Sequence, residues 1–248
     1  MNRLEYPKVV AAIVTSEAKA YCQEEFFAQI LAIKYPNFDY VIVDNSKTEN
    51  NAKLLRSYGL KNVIWNNNPN KLDLRHLMAE CNEITRTEAI NMKVRFFLNI
   101  ESDIFFNKSV IPFMVFQNLE VLTCPYLWGQ YEAKEHLLRQ SYEDEVNEET
   151  KTITLKEKKL TFEESFLFLN SEIKPILFSA IGFIMLRGDV LNKIAFRIGE
   201  TNLVANADSS LGEDLVNLGI QTHTYACPKA IFMHWQTPIS WKSISKIN

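Results

Sequence analysis

The residues best suited to chemistry lie in Arg95-Phe-Phe-Leu-Asn-Ile-Glu-Ser-Asp-Ile-Phe-Phe106, where an apolar run carries Glu101, Ser102 and Asp103 at its far end. Carboxylate oxygens suit a hard divalent cation, Mn²⁺ or Mg²⁺, which needs only one or two of them when phosphates complete its shell. The chemistry indicated is a metal-held diphosphate, with an acidic turn after a strand as the plain alternative for a lone Glu-x-Asp. A second acidic pair closes Ser209-Ser-Leu-Gly-Glu-Asp214, ahead of an expected helix from Leu215 to Leu218 that ends at Gly219. At a helix start facing a cleft, Asp214 suits proton abstraction, although acids there also simply favour the helix dipole. His234 follows an expected strand, Ala230 to Met233, where a histidine most simply packs or bonds to backbone.

These residues acquire meaning from the elements that carry them. Phe96–Ile100 is short and apolar, a buried strand of a mostly parallel sheet, and Glu101 and Asp103 stand beyond its carboxyl end, where open α/β sheets collect ligands. Val9–Val14 is another such strand, followed by the polar Thr15-Ser-Glu17. Apolar residues from Ala18 to Lys34 predict a helix that stops before Pro36, and Tyr40–Asp44 a second strand ending in Asp44-Asn45-Ser46. The unit is β-α-β with parallel strands. With no glycine in its first 35 residues it holds neither a dinucleotide fingerprint nor a P-loop, so side chains must hold any nucleotide.

Further along, Asn51–Tyr58 predicts a short helix, Asn62–Trp65 a strand, Asn66–Asn70 a loop and Leu72–Met92 a long helix, near whose start Arg75 can approach a phosphate. Glu120–Cys124 is a strand candidate, and the aromatic turn after it contains Trp128, a face for sugar C–H groups or for core packing. The charged stretch from Glu132 to Glu164 reads as a solvated excursion, partly helical, with a strand at Thr152–Leu155. Phe166–Leu169 and Ile176–Leu186 return to the core, with small residues to Gly182 near the cleft, and Gln221–Tyr225 is a late strand.

Composition sets the outer limits. A 248-residue chain with 47% hydrophobic residues can bury one full-sized core. A net charge of −3 and a pI near 5.9 argue against a nucleic-acid partner. The four cysteines, Cys22, Cys81, Cys124 and Cys227, lack zinc spacing and are expected as reduced thiols, mostly in the core. The first residues lack an apolar signal core and no apolar run is long enough for a bilayer, so the expected location is cytoplasmic, with membrane contact at most peripheral.

Taken in order, Val-Asp-Asn at 43–45, Phe-Leu-Asn-Ile-Glu-Ser-Asp at 97–103, Gly-Glu-Asp at 212–214 and Phe-Met-His-Trp at 232–235 resemble the motif series of GT-A-fold glycosyltransferases, the nucleotide-sugar-dependent class that includes the family-two enzymes. The resemblance spans roughly residues 8 to 236 and rests on motif order more than on any one match. It implies a single α/β domain with a Rossmann-like, mostly parallel sheet flanked by helices and a smaller acceptor-side region. The nucleotide-sugar half would cover about 1–106 and the acceptor half about 107–236, with a charged insertion at 132–165 and a tail at 237–248.

By position, the resemblance implies that Asp44 reads the base, with Thr15, Glu17 and Asn45 on the same side. Asp103 binds the cation, Glu101 binds the cation or the donor ribose, and His234 completes the metal set. Asp214 is the catalytic base, supported by Glu213. The donor would be a nucleoside-diphosphate sugar, UDP or GDP, and the acceptor a carbohydrate or a lipid-linked hydroxyl, with inversion expected. Glu101 departs from the family's Asp-x-Asp. A retaining transferase, a nucleotidyltransferase, a glycosidase and a non-catalytic nucleotide-sugar or partner-binding module stay open as alternatives.

Overall fold

The computed structural model describes residues 6–124, 139–147, 152–159, 172–176, 181–198, 207–225 and 231–232. In chain order its elements are β1 (Val9–Thr15), a single 3₁₀ turn (Glu17–Lys19), α1 (Gln23–Leu31), β2 (Phe38–Asp44), α2 (Asn50–Ser57), β3 (Val63–Trp65), α3 (Leu74–Asn91), β4 (Phe96–Ile100), β5 (Ile104–Phe105), α4 (Val110–Gln117) and β6 (Val121–Thr123). They continue with β7 (Arg139–Asn147), β8 (Thr152–Lys159), β9 (Lys174–Ile176), β10 (Phe183–Arg187), α5 (Gly188–Leu191), α6 (Ala207–Asn217), β11 (Thr222–Thr224) and β12 (Ile231–Phe232).

Among the described residues eight strands form one sheet in the order β3-β2-β1-β4-β10-β6-β11-β9, in which β10 and β9 run against the rest. This is the Rossmann-like, mostly parallel α/β sheet of a GT-A fold. Successive side chains of a strand point to opposite faces, and the apolar runs serve both. Val9, Ala11, Ile13, Phe96, Leu98 and Ile100 pack with Phe26, Phe27, Ile30 and Leu55 of α1 and α2. Val10, Ala12 and Phe97 pack on the other face with Val190, Leu211 and Leu215 of α5 and α6. Burial on both faces is why these strands read as continuous apolar stretches and not as alternating ones.

Several expectations change in detail. The helix expected from Ala18 to Lys34 begins only at Gln23; before it the chain makes the 3₁₀ turn, which turns Lys19 and Tyr21 toward Asp103. The long third helix starts after Asp73, whose Oδ1 accepts from the amides of Arg75 and His76, both at 3.0 Å. Residues 107–119 had no expected element, since an apolar run without period gives no helix signal, yet they hold α4, which ends at Asn118 in the left-handed region. The charged excursion is not helical where it is described: β7 and β8 pair antiparallel, with Asn147 opposite Thr152. The β-branched residues of Thr152-Ile-Thr favour that ribbon. Phe166–Leu169 and the tail at 237–248 lie outside the described residues.

Cys22, Cys81 and Cys124 are buried; Cys227 lies outside the described residues. No helix among the described residues is long and apolar enough to cross a membrane.

Gly188 begins α5 where β10 leaves the sheet, and a Cβ there would stand 2.4 Å from the Val94 carbonyl oxygen. That neighbour is backbone and cannot rotate away. Gly188→Ala is therefore expected to cost about 1–3 kcal/mol, read as a lowered Tm in thermal denaturation. An unchanged Tm would show that the α3–β4 connection yields without cost.

Candidate functional site

Strand β1 pairs with β2 on one edge and with β4 on the other, both parallel, so the crossovers on its two sides diverge at the carboxyl ends. The crevice between such strands is where open α/β sheets bind ligands. A cavity of about 270 Å³ occupies this place. Val14 of β1 borders it, together with Leu74, Arg75, Met78 and Asn82 on the first turns of α3 and Asn99, Ile100 and Glu101 at the end of β4. Ile181 before β10, and Ala207 and Asp208 at the start of α6, also border it.

Glu101 is the carboxylate of its pair that reaches the cavity. Its amide donates to the Gly182 carbonyl at 2.8 Å, which fixes the strand end against the entry to β10 and explains the place of Gly182 near the cleft. Burial, together with the charges of Asp103 and Asp208 and against that of Lys19, holds the Glu101 carboxyl up at about 8. Asp208 belongs to this acid group, although the sequence reading passed over it. Its signal was the spacing of Ala207, Leu211 and Leu215, all buried, which carries the helix two turns ahead of the expected start.

That earlier start corrects the expectation for the second acid pair. Gly212-Glu213-Asp214 lies inside α6, with Asp214 about 9 Å along the axis from Asp208 and on a different face. Asp214 accepts from Arg197 Nη2 at 2.7 Å, and Glu213 is exposed. Neither borders the cavity.

Asp103, just after β4, is turned into the protein. Its side chain is fully buried, Oδ2 accepts from Lys19 Nζ and, at 2.9 Å, from the Tyr21 hydroxyl, while Oδ1 is buried without a hydrogen bond. Burial and the Asp103 charge raise the Tyr21 phenol, and burial, reinforced by Asp103, pushes the Cys22 thiol up to about 12. Ser102, between the two acids, is buried with no partner for its hydroxyl. Asp103 does not border the cavity.

At the end of β2, Asp44 points inward. Its Oδ1 accepts from the Ser46 hydroxyl at 2.6 Å, the Ser46 amide at 3.2 Å and Asn51 Nδ2 at 2.9 Å, and its buried Oδ2 has no hydrogen bond. Ser46 Oγ in turn accepts from the Glu17 amide at 2.7 Å, so one carboxylate organises the loops after both β1 and β2. Thr15 is buried and its hydroxyl accepts from Gln23 Nε2 at 3.3 Å, while the Glu17 side chain is exposed. Asn45 donates its amide to the Thr15 carbonyl at 2.9 Å and leans on Met78 Sδ at 3.4 Å, joining the β2 end to α3. Arg75 is exposed at the cavity's edge.

The structure thus brings Arg75 and Glu101 together with Asp208, and leaves Asp103, Asp44, Glu213 and Asp214 off the cavity. Among the described residues no three of His, Cys, Asp and Glu are grouped to hold a metal ion. Trp128 and His234 lie outside the described residues.

No family model matches the chain, and no curated protein does. Solved structures do. The crystal structure of S. aureus TarS superposes with a TM-score of 0.54 at 13% identity, covering 92% of this chain and 37% of that one. The structure of S. aureus TarS 1–349 gives 0.51 at 14% identity, covering 91% and 58%. At such identity the likeness is one of fold, a GT-A architecture, and this chain spans less than two thirds of either TarS chain.

The raised Glu101 carboxyl has a consequence for stability. From its ordinary value of 4.5 to about 8, the folded chain holds a proton that the unfolded chain has lost, so stability falls as pH rises through that window and levels off above it. In metal-free buffer Glu101→Gln, which cannot ionise, is expected to flatten this slope and to be relatively more stable at alkaline pH. Parallel Tm-versus-pH curves for the two proteins would contradict the assignment.

Proposed function

We propose that the chain is a glycosyltransferase that moves a sugar from a nucleoside-diphosphate donor to an acceptor hydroxyl. The observation that carries the reading is the cavity at the switch point, which joins a cation at its mouth, Arg75, to two carboxylates, Glu101 and Asp208, inside the GT-A sheet. Apolar groups of Val14, Met78 and Ile181 supply walls for a base or a sugar ring.

The chemistry follows from where charge appears. Breaking the glycosyl–phosphate bond leaves negative charge on the diphosphate, and the Arg75 guanidinium, which matches phosphate geometry, is positioned to receive it. The acceptor hydroxyl becomes a strong nucleophile only as its proton leaves, and Asp208 is our choice of base, replacing Asp214, because it faces the cavity from the start of α6. Attack assisted from that side is a direct displacement with inversion. Glu101 offers oxygen donors that suit Mn²⁺ or Mg²⁺, which when bound supplies further charge stabilisation to the diphosphate. UDP or GDP sugars and a carbohydrate or lipid-linked hydroxyl remain the proposed donor and acceptor.

Thermal-shift titration of the whole chain with UDP, GDP, CMP and dTDP, each with Mn²⁺, Mg²⁺ or chelator, is expected to give a rise in Tm with one diphosphate, since a ligand at 100 times its Kd stabilises by about 2.7 kcal/mol. No rise with any of them, on folded protein, sinks the donor-site reading. Asp208→Asn is expected to keep that rise and to lose about 10²- to 10⁴-fold in transfer rate. Asp214→Asn should instead affect stability through Arg197 and leave turnover close to wild type; the reverse pattern would return the base to Asp214. Binding without any transfer would favour a non-catalytic module.

A further inference from the structure

Carboxylates are almost never fully buried unless paired, and Asp103 is both buried and paired. Its partners come from one short stretch, the 3₁₀ turn and the residues after it, which lie 84 and 82 positions away in sequence. That stretch is pinned independently. Gln23 Nε2 donates to the Ser16 carbonyl at 2.8 Å, the Glu17 amide donates to Ser46 Oγ at 2.7 Å, and Cys22 Sγ lies 3.5 Å from the Ser102 carbonyl. Lys19 is therefore delivered to Asp103 by a fixed backbone. A metal ligand must present an oxygen to space that the ion can enter. Here Oδ2 carries an ammonium and a phenol, Oδ1 is buried, and the carboxylate is off the cavity.

We propose that Lys19 is the resident counter-cation of Asp103, and that Asp103, Lys19 and Tyr21 form a clamp positioning the β1–α1 connection beside the donor cavity, with Asp103 ligating no divalent cation. The second carboxylate of the Glu-x-Asp pair is then a positioning residue, and of that pair Glu101 is the one that borders the cavity. The clamp's functional meaning rests on the donor-site reading above; its existence does not.

The physics of a buried pair supplies the test. Removing Lys19 strands the buried Asp103 charge in low dielectric and removing Asp103 breaks the same pair, whereas removing both leaves little more to lose. In the full chain Lys19→Met and Asp103→Asn are each expected to lower Tm by several degrees, and the double variant to fall close to the worse single one, not to their sum. Lys19→Arg, which keeps the charge, should recover most of the loss. Uptake of Mn²⁺ alone, followed by the electron paramagnetic resonance of the free ion, should be the same for wild type and Asp103→Asn, including the case in which neither takes up any.

Additive losses of Tm, no recovery with Lys19→Arg, or wild-type uptake of Mn²⁺ that disappears in Asp103→Asn would each overturn the proposal. If Asp103→Asn does not fold, Lys19→Met against Lys19→Arg still decides it, since equal stability of the two shows that the charge is not what holds the clamp. Failure of the donor-site reading shows elsewhere, in the nucleotide titrations, and the stability and metal-only arms are independent of it.

Discussion

Strand β1 is hydrogen-bonded along both edges, to β2 from Val9 through Thr15 and to β4 from Val9 through Ala12, and is buried on both faces. Parallel neighbours on both sides require crossovers in opposite directions, and those crossovers diverge to leave a gap at the carboxyl end. The cavity is this gap. Its walls are whatever the diverging connections bring there: the first turns of α3, the end of β4, the entry to β10 and the start of α6. Antiparallel β10 lies against β4, so the chain's later half returns to the edge that the first half opened.

Around that gap the acids divide into two kinds. Asp44 and Asp103 are buried and turned to their own loops, one gathering Ser46 and Asn51, the other Lys19 and Tyr21. Glu101 and Asp208 border the cavity. The division follows from the cost of burying charge: a carboxylate withdrawn from water must be satisfied by fixed donors, and one so satisfied organises the surrounding loops. The loops after β1 and β2, which carry no glycine of their own, are held in this way, by side chains where a glycine-rich turn would use backbone alone. Glu101 is left among like charges in a partly buried place.

The apolar runs at Val9–Val14, Tyr40–Asp44 and Phe96–Ile100 were legible as buried strands, and with the helix-period stretches between them they determined a parallel α/β sheet, because a strand covered on both faces must be apolar throughout. Loops at Asn66–Asn70 and after Asp44 were legible from their polar, turn-forming residues. Helix bounds were less so. Tyr21 looks like one more apolar residue of α1 until Asp103, 82 positions away, claims its hydroxyl. Likewise Gly-Glu-Asp at 212–214 resembled a helix start, but Ala207, Leu211 and Leu215 seat an earlier turn against the sheet and so bring Asp208 to the cavity.

The sequence by itself thus determined the fold class, the order of its elements as far as β4 and the edge of the sheet at which polar residues gather, because periodicity and burial are local consequences of side-chain type. Only the tertiary structure decided which acids border the cavity and which are spent on holding loops. Side-chain type states that a carboxylate needs partners; whether those partners are an ammonium from a distant turn or an open cavity depends on contacts between segments far apart in the chain, and no local pattern encodes them.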